Sequence, residues 1–230
     1  MREFAPQYHV NPSQRTPCML VLDASGSMDE VVPATGRSRI SELNDGLAML
    51  QQELLADDTA AQRVQLAIVC VGGEEGGARL LMDWTDAAQF RAPRLTAGFT
   101  TPLAEGMQLA LRHIAQQKQT LKRNGIPYTR PWIMVISDGE PTDSDIWPMV
   151  AEECRAAGTA KKCIIFPIGV ADANLTLMQQ LSSVPAVQLK EAKFREYFQW
   201  LSSSLSGQSR SKPGDTHVQL DAINPWAMVG

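Results

Sequence analysis

Four aliphatic residues in succession, Met19-Leu20-Val21-Leu22, run without a break into Asp23-Ala24-Ser25-Gly26-Ser27-Met28. An apolar run that does not alternate predicts a strand buried on both faces, as in a parallel sheet covered by helices on each side. In open α/β sheets the carboxyl ends of the strands border the crevice where ligands bind. Asp23, Ser25 and Ser27 alternate, so in an extended turn their oxygens face one side, and Gly26 lets the chain fold closely around what they hold. Oxygen donors of this kind suit a hard cation. Short Asp/Ser/Gly loops are also ordinary turns, so this stretch does not decide the matter alone.

Two further segments add to it. Ile133-Met134-Val135-Ile136 is a second apolar strand, followed by Ser137-Asp138-Gly139-Glu140. Between the two strands, Gly98-Phe99-Thr100-Thr101-Pro102-Leu103 reads as a glycine loop entering a helix, with proline at the helix start. Three loops thus supply carboxylate and hydroxyl oxygens at element ends.

These residues resemble the von Willebrand factor A domain and its metal-ion-dependent adhesion site. Asp23, Ser25 and Ser27 match the family's D-x-S-x-S pattern, Thr101 its loop threonine and Asp138 its final aspartate. Thr101 is preferred because it stands six residues before Met107, an apolar helix position, with Thr100 as the substitute. The resemblance covers about residues 15 to 205. Within the family, Ser137 to Asp143 and the ending from Phe194 to Pro213 are most similar to the bacterial tellurite-resistance TerY-like, or YegL-like, proteins. It implies a Mg2+ ion, with Mn2+ or Ca2+ as alternatives, held directly by Ser25, Ser27 and Thr101 and through waters by Asp23 and Asp138. Neutral hydroxyl ligands leave such an ion electrophilic, and a protein partner presenting an exposed Asp or Glu would complete its shell. The closer resemblance implies a tellurite or stress-response assembly linked to phosphorylation, with a kinase or phosphatase as partner.

The rest of the chain supports one α/β domain. Strands are expected at Cys18 to Leu22, Val64 to Val71, Ala78 to Trp84, Ile133 to Ile136, Cys163 to Val170 and, at an edge, Val187 to Leu189. Ile40, Leu43, Leu47, Leu50 and Leu54 recur at helical spacing. Further helices are expected over Thr101 to Asn124, Asp145 to Ala157, Leu175 to Leu181 and Phe194 to Leu205. The expected fold is a doubly wound, mostly parallel six-stranded sheet with helices on both faces, Rossmann-like. The turn Gly72 to Gly77 is too short for a crossover, so the strand after it should run antiparallel. Residues 1–16 read as an irregular lead, 17–206 as the domain and 207–230 as a linker and tail. In that tail Val218, Leu220, Ile223 and Trp226 either pack back or fray. Asp29 to Ser38 reads as a polar loop, with Asp29 and Glu30 either a solvated pair, the favoured reading, or added charge at the rim of the ion. Glu140 and Asp143 either face a partner or stabilise their turn, Asp172 or Asn174 caps a helix, and Trp132 and Trp147 are core.

At 230 residues and net charge −4, with acids and bases interspersed, the chain has no basic stripe for nucleic acid. No apolar run approaches the ~20 residues that cross a bilayer. The start, polar through Pro17, has no signal-peptide core, so a cytoplasmic protein is expected. Cys18, Cys70, Cys154 and Cys163 fit no zinc spacing and should be buried thiols. A dinucleotide loop is excluded because no helix follows the double glycines. A serine hydrolase lacks its nucleophile elbow, and a P-loop is absent. The remaining enzyme alternative is a phosphatase or phosphotransferase of the haloacid dehalogenase type with Asp23 as nucleophile. Ser25 stands where that chemistry requires a second acid, so a non-enzymatic binding module is expected.

Overall fold

A computed structural model describes residues 11–138, 140–190 and 193–212, together with the backbone of 227–229. Strand β1 (Thr16–Ala24) is buried along its whole length. Its side chains divide between two cores: Leu20 and Leu22 face one, Met19 and Val21 the other. β1 lies centrally, parallel to β4 (Val64–Gly72) on one side and to β6 (Trp132–Ser137) on the other. β5 (Ala78–Asp86) returns antiparallel to β4 after the glycine turn, as the short connection requires. β7 (Ile164–Val170) and β8 (Val187–Leu189) extend the sheet in parallel beyond β6.

These are the six expected strands, and a seventh joins them. β9 (Ala227–Val229) pairs antiparallel with β8, giving the order β5-β4-β1-β6-β7-β8-β9. β8 is therefore an inner strand, not the edge that its short run suggested. Covering an edge in this way occupies ladder groups that would otherwise remain open to another chain. Val218, Leu220, Ile223 and Trp226 lie outside the described residues, as does the lead up to residue 10.

Helix α1 (Arg39–Ala56) and helix α6 (Phe194–Arg210) cover one face of the sheet. Helix α3 (Leu103–Arg123) and helix α4 (Trp147–Thr159) cover the other. Two short helices, α2 (Asp58–Arg63) and α5 (Leu175–Met178), complete the set. Pro148 sits in the first turn of α4, where its missing N–H costs nothing. Trp132 and Trp147 are buried in the core as expected, and all four cysteines are buried free thiols. Burial pushes Cys154 up to about 12 and Cys163 up to about 11, which keeps both protonated. No helix among the described residues is long and apolar enough to cross a membrane.

Gly46 sets how closely α1 approaches α6. A Cβ there would stand 2.4 Å from Cδ2 of Phe198, a fully buried ring. Gly46→Leu should therefore destabilise the fold by about 2 kcal/mol or more, overpacking outweighing the gain in helix propensity. Gly207 of α6 has nothing within 4 Å of its Cβ position, and Gly207→Ala should stabilise by roughly 0.5–1 kcal/mol. Urea unfolding of both variants checks the pair; equal effects would remove the role assigned to Gly46.

Candidate metal centre

The chain leaves β1 toward β4 on one side and later returns through β6 on the other. A crevice opens at such a change of direction, and the carboxyl ends of β1 and β6 form its lips. Leu22 registers with Ile136, which places Asp23 beside Ser137. The Ser137 hydroxyl donates to Asp23 Oδ2 at 2.6 Å, and the Ser25 N–H donates to Asp23 Oδ1 at 2.8 Å. Ser25 Oγ and Ser27 Oγ are 3.1 Å apart, and the Ser27 hydroxyl donates to Asp138 Oδ1 at 2.8 Å. Asp23, Ser25, Ser27 and Asp138 therefore form one hydrogen-bonded chain across the crevice.

Thr101 reaches the same rim through its backbone loop. The Gly26 N–H donates to Phe99 O at 3.0 Å, and the Gly98 N–H donates to Ala24 O at 2.9 Å. The extended stretch before the loop is held by α1. Asn44 both donates to Leu95 O and accepts from Leu95 N–H, while Gln51 accepts from Ala92 N–H. On the far side the Thr142 N–H donates to Thr101 O at 2.9 Å, tying the loop after Asp138 to Thr101. Thr101 itself is almost fully buried.

Asp23 has no solvent exposure, and burial raises its pKa to about 6, partly offset by hydrogen bonds from Ser137 and Ser25. No salt bridge reaches it among the described residues. A buried acid without a cation beside two hydroxyls is an arrangement that a bound positive ion would relieve. The spacing fits as well. Neighbouring ligands of an octahedral ion with ~2.1 Å bonds stand about 3.0 Å apart, close to the 3.1 Å between Ser25 Oγ and Ser27 Oγ. Among the described residues no group of three His, Cys, Asp or Glu side chains gathers at any place, the crevice included, where two acids stand beside hydroxyls. The donor set at the crevice consists of hydroxyl and carboxylate oxygens, the kind that suits a hard divalent cation.

Several neighbours have roles that the sequence left open or did not signal. Asp143 accepts from the N–H groups of Ala104 and Glu105, at 3.2 and 2.8 Å, and so caps α3 from another loop. This holds the helix that follows Thr101, a role for Asp143 beside the turn and partner roles that were expected. Asn174 caps α5 through Leu177 N–H and also donates to Glu140 at 2.9 Å. Glu30, for which the sequence favours solvation over a place at the rim, is exposed but forms an ion pair with Arg39 at 2.8 Å. The loop from Asp29 to Ser38 contains a small hairpin, β2 (Val31–Val32) with β3 (Arg37–Ser38). Arg39, which no local pattern marks, donates to Asp138 Oδ2 at 2.8 Å.

A doubly wound α/β fold with a hydroxyl and carboxylate rim at the ends of its central strands defines a class of ion-holding binding modules. The sequence profile of the von Willebrand factor type A domain matches residues 19–200, and the chain belongs to that family. Comparison with curated proteins gave no match. Among solved structures it is similar to the vWF domain of the type V pili tip protein from Porphyromonas gingivalis. That likeness has a TM-score of 0.60 at 12% identity, covering 87% of this chain and 98% of that one. It is also similar to the pilus adhesin SpaC from Lactobacillus rhamnosus GG, at TM-score 0.60 and 14% identity over 85% of this chain and 31% of that one. A third is proximal thread matrix protein 1 from the mussel byssus with a zinc-occupied MIDAS motif, at TM-score 0.54 and 10% identity. There 85% of this chain and 49% of that one are covered. The chain thus spans less than two thirds of the last two proteins.

Proposed function

We propose that the chain is a metal-dependent protein-binding module. Ser25, Ser27 and Thr101 hold a divalent cation directly, Asp23 and Asp138 balance its charge through bound waters, and an acidic residue of a partner completes the shell. The observation that carries this reading is the continuous run of oxygens from Ser25 through Ser27 to Asp138, spaced at 3.1 and 2.8 Å. A bound cation supplies an open coordination position that a carboxylate can take in place of water. Mg2+ is the ion we favour, and the mussel protein's zinc-occupied MIDAS motif supports divalent binding in a similar fold.

The rim carries a second feature suited to a protein partner. Phe99 is 68% exposed and has a φ of 57°, a conformation that favours glycine. An exposed aromatic held in that backbone state beside the crevice offers an apolar anchor next to the ion. The wording from Ser137 to Asp143, and the ending from Phe194 onward, support a cytoplasmic stress-response or phosphorylation-linked assembly. In it a kinase or phosphatase presents the acidic group. The four buried thiols suit that compartment.

Capture from a lysate of the source cells on the immobilised chain in Mg2+, followed by elution with EDTA, tests the reading. The expected result is a defined protein released by chelator, and retained at least tenfold less by Ser25→Ala and by Phe99→Ala. Retention unaffected by chelator and by Ser25→Ala would overturn it. The phosphatase alternative has less support, because Asp23 is buried and both its carboxylate oxygens already accept hydrogen bonds. Phosphatase turnover abolished by Asp23→Asn would restore that alternative.

A further inference from the structure

Arg39 is the one cationic side chain that the described residues bring onto an acid of the proposed centre. The Asp138 side chain has no solvent exposure, and its two oxygens are both engaged. Oδ1 accepts from the Ser27 hydroxyl and Oδ2 from Arg39 Nη1, each at 2.8 Å. The same Nη1 donates to the Ser27 carbonyl at 3.2 Å, while Nη2 faces Glu30 at 2.8 Å. The guanidinium therefore lies along the Ser27 edge of the crevice with one end on a buried acid and the other on an exposed one.

The local chain is built to deliver it there. The hairpin pairs Val31 with Ser38 and Val32 with Arg37, so residue 39 returns beside residue 30. The Arg39 N–H then donates to Glu30 O at 3.0 Å, and α1 begins at that point. The stretch that reads as a polar loop is thus a device that sets one arginine at the rim.

We propose that Arg39 is the resident counter-cation of this centre, neutralising Asp138 in the metal-free chain, so that a divalent ion binds in competition with a guanidinium. This rests on the metal-binding reading above. Two acids, Asp23 and Asp138, face the crevice, and Arg39 cancels one of their two negative charges. A cation seated on Ser25 and Ser27 adjoins the arginine through Ser27 and Asp138, and two positive charges at such range in a partly buried site repel. Glu30 gives the guanidinium a second seat, so Arg39 yields Asp138 without leaving the rim. The consequence is a weak, adjustable centre. The metal then binds at concentrations set by the strength of the Arg39–Asp138 pair.

The test is Mn2+ titration of the full chain, followed by the electron paramagnetic resonance signal of free Mn2+. It compares the unaltered chain with Arg39→Gln, Arg39→Lys and Asp23→Ala. Arg39→Gln should bind Mn2+ at least tenfold more tightly, Arg39→Lys should stay within about threefold of the unaltered chain, and Asp23→Ala should not bind. Tightening is a result that structural damage does not produce, since a distorted rim loses affinity. If Arg39→Gln is poorly folded, its melting temperature with and without saturating Mn2+ replaces the titration; Mn2+ should raise it by more than it raises that of the unaltered chain. Equal or weaker binding by Arg39→Gln, or an equal or smaller rise in melting temperature, with the unaltered chain still binding Mn2+, would overturn the role of Arg39 and leave the metal reading standing. Absence of Mn2+ binding in the unaltered chain and in Arg39→Gln alike would overturn both.

Discussion

Asp23→Asn should abolish divalent-cation binding, lowering affinity at least a hundredfold, and yet leave the metal-free fold as stable at pH 7 as before, or more so. The two effects share one cause. Asp23 is completely buried, and burial lifts its pKa from 3.8 to about 6, with the nearby Asp138 charge adding a smaller push in the same direction. Its ionised form is therefore less favourable in the folded chain than in the unfolded one. Its contribution to stability is fully present below 3.8 and is lost as pH rises through about 6. A shift of that size corresponds to about 3 kcal/mol at neutral pH. Asparagine keeps an acceptor for the Ser25 N–H and a donor for the Ser137 oxygen, and it carries no charge to desolvate. In EDTA, the variant's stability relative to the unaltered chain should rise between pH 4 and pH 7. Urea unfolding at both values, with a Mn2+ titration at pH 7, measures this. Retained ion binding, or a destabilisation that does not depend on pH, would contradict the role given to Asp23.

Gly72→Ala should cost about 3 kcal/mol and weaken ion binding at least tenfold, although Gly72 offers no side chain to the centre. Gly72 ends β4 with a φ of +74°. A Cβ there would meet Thr100 O at 2.7 Å, Ser25 Cα at 2.9 Å and Gly98 O at 3.0 Å, all backbone atoms. None of these can rotate out of the way as a side-chain tip would. The added methyl must push the Thr101 loop away from the Ser25 loop, opening the crevice between two of the three segments that form it. Gly77 supplies the comparison: its φ is +66°, but nothing lies within 4 Å of its Cβ position. Gly77→Ala should therefore show only the backbone cost, about 1 kcal/mol, with ion affinity unchanged. Equal loss of affinity in the two variants would show that crowding at Gly72 is not what holds the loops in register.

Much of this architecture was legible from the chain because its determinants are local. The uninterrupted apolar run of β1, the leucine stripe of α1 and the short glycine turn before β5 each dictate a period or a chain reversal within a few residues. Asp23, Ser25 and Ser27 were legible for the same reason, since their spacing alone puts three oxygens in one turn. Sequence reasoning placed β8 at an edge because nothing near it shows that residues 227–229 return to pair with it. It read Asp29 to Ser38 as a plain loop because a two-residue hairpin leaves almost no apolar pattern. Asp143 was left between two roles, since the helix it caps begins in another loop.

The sequence by itself determined the six main strands and the longer helices, and that acids and hydroxyls gather at strand ends. Local side-chain periodicity and turn chemistry carry that information. Only the tertiary structure decided that Ser137 bonds to Asp23, that the Thr101 loop docks on Gly26, and that Arg39 rests on Asp138. Each of these pairs joins residues far apart in the chain. Their meeting depends on how β1, β4 and β6 align and on which side each crossover returns, and no short window of sequence specifies that.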